Sequence, residues 1–197
     1  ARDPLIEACR FSEETNARLP GFGRKLFAFI RPLYKSAPAE RLRLIRAACH
    51  LHDVSWRAHP DFRAEACFDN ATRANLGGLD HRGRVFLGMA LMHRYSNNRK
   101  AGQRMAALCA MLSEAEHREA EILGKALRFG AMFSIAGPEN AGRLRYFPKK
   151  RELELILTPD SKPLFGEVVQ TRFDALAKAL GVTKHSVRVG RARPGAQ

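Results

Sequence analysis

The chain has 197 residues, 45% of them hydrophobic and 27% charged, a composition that supports a sizeable buried core and excludes a disordered polyelectrolyte. No apolar run approaches the ~18 residues of a membrane-spanning helix, and the opening ARDPLIEACR lacks the apolar segment of a signal peptide, so a cytoplasmic protein with no membrane partner is expected. Lys and Arg number 34 against 20 Asp and Glu, a formal charge of +14, and that excess favours polyanions as partners.

Up to about residue 135 the chain reads as consecutive amphipathic helices interrupted at Pro20-Gly21, Pro38, Pro60 and Gly77-Gly78. From Ala39 to Asp53 a period of 100° per residue places Leu44, Ile45, Ala48, Cys49 and Leu51 on one apolar arc. Arg43, Arg46 and His50 fall opposite, and His52 projects from the arc. A helix over Asp80 to Arg94 follows, with Val85, Phe86, Met89, Ala90 and His93 inward. Ser113 and Glu116 form a capping box that opens a long helix through Ile122, Leu123, Leu127 and Phe129.

After residues 136–142 the period changes to two. Leu144 and Tyr146 alternate with Arg143 and Arg145, Pro148-Lys149-Lys150 turns the chain, and Leu153, Leu155 and Leu157 alternate with Glu152 and Glu154. The pattern is a β-hairpin. A last helix over about 166–180 carries Val169, Phe173, Leu176 and Leu180, with Gly181 as its C′ residue, and the tail adds one short strand. The expected fold is therefore mainly α: a helical domain over 1–138, then a small α+β domain over 139–197 built from a hairpin and a helix. Cys9, Cys49, Cys67 and Cys109 form no C-x-x-C pair and read as reduced, buried thiols.

The stretch CHLHDVSWRAHPD at 49–61 holds His50, His52 and His59 with Asp53 and Asp61. Pro60 breaks the chain there, and Asp61 is placed to cap a helix beginning near Phe62. The His52-Asp53 doublet among helices is similar to the signature of the HD phosphohydrolase superfamily, which holds a divalent metal with an early His, the doublet and a late Asp. Here EACRFSEETNAR on the first helix contains no His, and Leu127-Arg128-Phe129-Gly130-Ala131 stands where that superfamily has Leu-Arg-x-Ala-Asp. With two corners absent no metal is assigned; His52 and Asp53 are the residues that would serve one.

In order along the chain, RLRLIRAACHLHDVSW, NLGGLDHRGRVFLGMALMHRYSNNRK, EILGKALRFGAMFSIA and LELILTPDSKPLFGEVVQTRFDALAKALG resemble the C-terminal half of the exopolyphosphatase and guanosine pentaphosphate phosphohydrolase family, whose helical part is HD-like. A His that many members carry falls near Ala66, and their Arg-Tyr-His-Arg-Lys appears as Arg94 to Lys100 with Ser96-Asn97-Asn98 inserted in its place. The resemblance implies an actin-like catalytic domain N-terminal to this region, holding the catalytic glutamate, magnesium and the phosphate loops; no such loop motif occurs in these 197 residues. It implies for this chain a non-catalytic role, with no cofactor of its own: binding long inorganic polyphosphate, from which the parent enzyme releases terminal phosphate, and contributing to a homodimer.

Polyphosphate carries regularly spaced charge, so aligned cations and counterion release govern its binding, with guanidinium forks gripping phosphate oxygens. Three acid-free stretches are candidates: Arg94, Arg99, Lys100 and Arg104; Arg143, Arg145, Lys149, Lys150 and Arg151; and Lys178 to Arg193. The middle one is preferred because Arg143 and Arg145 share the polar face of a strand whose turn carries Lys149-Lys150. Two alternatives stay open, a stand-alone HD-type metal-dependent phosphohydrolase and a nucleic-acid-binding adaptor. One Trp and three Tyr give thin provision for stacking bases.

Overall fold

A computed structural model describes residues 2–96 and 103–191. Helices α1 (Pro4–Asn16), α2 (Phe22–Ile30), α3 (Ala39–Leu51), α4 (Arg63–Arg73), α5 (His81–Tyr95), α6 (Gln103–Cys109) and α7 (Glu114–Phe133) come first. A single turn, α8 (Pro138–Ala141), leads into β1 (Gly142–Phe147) and β2 (Glu152–Leu157), then α9 (Glu167–Leu180) and β3 (Lys184–Val189). The architecture is mainly helical with a small α+β part, as the periodicities predict. Among the described residues no helix is long and apolar enough to cross a membrane.

Local chemistry sets the helix ends. The Asp3 side chain accepts from the Leu5 amide at 2.9 Å to start α1. The Ser113–Glu116 capping box forms in both directions at the start of α7. Gly181 takes a left-handed φ of 69° to end α9. Pro60 through Phe62 form a 3-10 turn, and here the structure corrects the sequence reading. Helix α4 begins after Phe62 with no side-chain cap, and it is the His59 Nδ1 that accepts from the Asp61 amide, at 3.2 Å.

β1 and β2 pair antiparallel, Leu144 opposite Leu155 and Arg145 opposite Glu154, while β3 adds in parallel to β2 after the α9 crossover. The sheet order is β1-β2-β3. Leu144, Leu153, Leu155 and Leu157 are buried on the face toward the helices, leaving Arg143, Arg145, Glu152 and Glu154 on the other. A single hydrophobic cluster crosses residue 138 and joins helices and sheet. Its centre is aromatic: the Phe129 ring lies 5.8 Å from both Phe29 and Phe133 and 5.3 Å from Phe173.

Helices α5 and α7 touch at Gly124, where a Cβ would sit 2.4 Å from His93 Cβ and 2.6 Å from the Ala90 carbonyl oxygen. Only a residue without a side chain permits that approach. Helices α1 and α3 are joined by a buried polar pair: His50 Nδ1 lies 2.5 Å from Glu13 Oε2, whose other oxygen accepts from the Gly23 amide at 2.8 Å. His50, expected on the polar face of α3, is buried because α1 and the start of α2 cover that face.

Candidate functional site

Helix α3 stops at Leu51, so His52 is its C-cap residue and Asp53 begins the following turn. His52 is 7% exposed and packs its ring 5.6 Å from that of Phe22. Burial, with the Arg94 charge adding to it, lowers its pKa to about 3, and its Nδ1 is buried without a hydrogen-bond partner. The imidazole is therefore neutral. Asp53 receives Arg18: Nε donates to Oδ2 at 2.9 Å, a second guanidinium nitrogen donates to Oδ1, and the Arg18 amide reaches Oδ2 at 3.3 Å. The Tyr95 hydroxyl adds a bond to Oδ1 at 3.2 Å and donates to the His52 carbonyl at 2.9 Å. Burial opposes ionisation of Asp53, but the Arg18 hydrogen bonds and the neighbouring charges outweigh it and hold the carboxyl below the usual carboxylate range.

A metal at this doublet would have to displace a bidentate guanidinium from both Asp53 oxygens. Among the described residues no three His, Cys, Asp or Glu side chains converge to hold a metal ion. What the doublet does in this fold is tie the loop after α1 to the end of α3, with Trp56 closing the same loop through its Nε1 bond to the Asn16 carbonyl at 2.9 Å.

The preferred basic segment divides. Arg143 and Arg145 are exposed on the outer face of β1, where Arg145 lies 3.6 Å from Glu154, and Arg188 of β3 reaches the same carboxylate at 3.2 Å. Arg151 adopts φ 52° and donates to the Gly181 carbonyl at 2.7 Å, so its guanidinium closes the end of α9. Lys149 and Lys150 occupy the exposed turn between the strands. The Phe147 ring links the two groups, with Arg145 5.0 Å and Lys150 5.8 Å from its centroid.

That turn faces the segment after α2 across a groove of about 830 Å³, whose walls include Leu33, Tyr146 and Phe147. Four cations line it, Lys35, Arg41, Lys149 and Lys150, against the single carboxylate Glu119, which pairs with Arg41 at 2.9 Å. Three lysines are left facing an apolar floor. Lys35 lies far from the hairpin in sequence, and nothing in a linear charge count points to it.

Of the other candidates, Arg94 is only 8% exposed, with its guanidinium 4.5 Å from the Tyr95 ring centroid, so it is no part of an open surface. Arg99 and Lys100 lie outside the described residues, and Arg104 falls in α6. Of the tail, Lys178, Lys184 and Arg188 are exposed, and Arg193 lies outside the described residues.

A family model described as "Exopolyphosphatase, C-terminal" matches residues 14–187. No curated protein matches the chain.

Proposed function

The chain belongs to the exopolyphosphatase C-terminal family, and on that footing we propose that it is a non-catalytic, cytoplasmic polyphosphate-holding region that works beside an N-terminal actin-like catalytic domain. The observation that carries this reading is the groove at Lys35, Lys149 and Lys150, where one carboxylate faces four cations. Magnesium belongs in this reading to the N-terminal domain. The residues described here offer it no converging set of carboxylates or imidazoles. Polyphosphate laid along the groove exchanges condensed counterions for lysine contacts, and the Arg145–Phe147–Lys150 contact continues the path onto the outer sheet face, where Arg143 lies. Guanosine pentaphosphate is a second ligand for the same groove, favoured by the apolar walls at Tyr146 and Phe147 against which a base can pack. Homodimer contacts also belong to the reading.

The test is the salt dependence of labelled polyphosphate binding to the 197-residue chain. A plot of log K against log salt has a slope of about −0.7 per phosphate contact for single strands. Lys149→Ala with Lys150→Ala is expected to flatten it by about 1.4 and to weaken binding by about tenfold at physiological salt. Affinity that is absent, or indifferent to salt and to both substitutions, refutes the reading.

A further inference from the structure

A cavity of about 470 Å³ lies between α1, the turn after α3, α4 and α5. It shares no residue with the Lys149–Lys150 groove. Protein interiors are close-packed and leave few voids larger than a water molecule, so the space needs a cause. That cause is side-chain size, since Ser12, Ser55, Cys67, Ala71 and Ala74 all line it. Leu51, Val54, Leu76 and Leu91 supply apolar walls.

The polar groups are few and held in place. Asn70 Nδ2 donates to Ser55 Oγ at 2.9 Å, and Ser55 is only 6% exposed, so the α4 carboxamide is anchored on a buried hydroxyl. Its Oδ1 has no donor among the described residues. Asn16 ends α1, and its backbone carbonyl accepts from Trp56 Nε1 at 2.9 Å. That bond fixes the residue, while its carboxamide bonds to none of the described residues. Burial pushes the Cys67 thiol up to about 11, so that part of the wall is neutral. No carboxylate lines the cavity, and its one charged residue, Arg73, is exposed.

This composition selects a ligand class. An ammonium ligand finds no counter-charge, and a bare polyanion gains nothing from apolar walls. A wholly apolar ligand strips water from the carboxamides and hydroxyls and offers no bond in return. A carboxamide holds an acceptor and a donor side by side in one plane. It pairs with a donor and an acceptor on the edge of a flat ring, as Asn does when it reads adenine. A heterocycle of the nucleobase type has that edge together with apolar faces and no net charge. The volume falls within the range of small-molecule sites, roughly 300–1,000 Å³, and exceeds what a single ring fills.

We propose that the cavity between α1, α4 and α5 binds a neutral nucleobase, free or as its nucleoside, through the Asn16 and Asn70 carboxamides. The leucine and valine walls enclose the ring. This site does not depend on the polyphosphate reading.

The experiment is equilibrium dialysis of the 197-residue chain against adenine, cytosine and uracil and against their nucleosides, with Trp56 emission followed in parallel. Trp56 is bonded to the Asn16 carbonyl and therefore reports on the cavity. Wild type is expected to bind at least one of these probes saturably, one per chain, with a matching change in emission. Asn16→Ala and Asn70→Ala are the first variants, because neither residue belongs to the buried core; each is expected to lose at least tenfold in affinity. Ala71→Leu fills the space from a buried position and abolishes binding. Benzene, flat but without a polar edge, binds at least tenfold more weakly than the base. Lys149→Ala with Lys150→Ala binds as wild type does, and tripolyphosphate does not displace the probe, so a failed groove and a failed cavity give different results. Tighter binding of the nucleoside identifies it as the occupant, and equal binding identifies the free base. The proposal is overturned if no base or nucleoside binds, if folded Asn16→Ala and Asn70→Ala proteins bind as wild type does, or if benzene binds as tightly as the base.

Discussion

If Asp53 serves as the counter-charge of two arginines, its removal costs more than removal of either partner. Asp53→Asn keeps the shape of the side chain and some of its hydrogen bonds but deletes the charge, leaving Arg18 unpaired and Arg94 buried with no carboxylate of the described residues in range. Breaking a buried pair from one side costs about 3–5 kcal/mol. The Arg18 side chain is 46% exposed and recovers water, so the lower end, about 3 kcal/mol, is expected. Arg18→Met removes bonds worth roughly 1–2 kcal/mol net, yet Asp53 keeps the Tyr95 hydroxyl and the Arg94 charge. The double variant should cost little more than Asp53→Asn alone.

Urea unfolding followed by Trp56 fluorescence measures all three. Trp56 is the one tryptophan of the chain and its ring centroid lies 5.5 Å from the Arg18 guanidinium carbon. An Arg18→Met protein as destabilised as Asp53→Asn would mean that Arg94 does not depend on Asp53, and the charge argument would fail. A chelator that destabilises wild type while sparing Asp53→Asn would instead return the doublet to metal binding.

Two further outcomes follow from packing and burial. Gly124→Ala forces a methyl group into backbone and side-chain atoms of α5 and is expected to cost about 2–3 kcal/mol, read as a lower urea midpoint; a neutral result would show that α5 and α7 can separate freely. His52 titrates at about 3 in the folded chain against an ordinary 6.5, so in that window the unfolded chain takes up a proton that the folded chain refuses. Its contribution to stability is complete above pH 6.5 and is lost as pH falls toward 3, by up to ~1.4 kcal/mol per pH unit. His52→Leu should flatten the acid limb of the stability curve across that range, and an unchanged slope would contradict a buried neutral imidazole.

The elements legible in the sequence are those whose determinants are local. Apolar spacing gives α3, α5 and α7, a four-residue capping box fixes the start of α7, and alternation from Leu144 to Leu157 gives the hairpin. The errors share a cause. His50 lies opposite the apolar arc of α3, but the partner that draws it inward is Glu13, 37 residues away. Asp53 is assigned no metal, but nothing near it in sequence names its partner either: the group that engages it comes from Arg18, 35 residues away across the Pro20-Gly21 turn. Arg94 counts toward a basic run, yet it lies within a buried stretch of α5. No period within one helix records what another helix places against it.

The same point decides how a charge of +14 is to be interpreted. Density of Lys and Arg along the sequence identifies stretches, but the carboxylates sort the individual cations into those that hold the fold and those free for a ligand. Arg43 forks onto Asp3 at 2.6 and 3.0 Å and donates to the Gly78 carbonyl; Arg18 takes Asp53; Arg41 takes Glu119; Arg145 and Arg188 divide Glu154. Among the described residues, ion pairing leaves Lys35, Lys149 and Lys150 without a carboxylate in the groove, since its Glu119 is taken by Arg41. An unpaired cation on an open surface costs little because water solvates it, so the groove lysines are retained cheaply and can be exchanged between solvent and polymer.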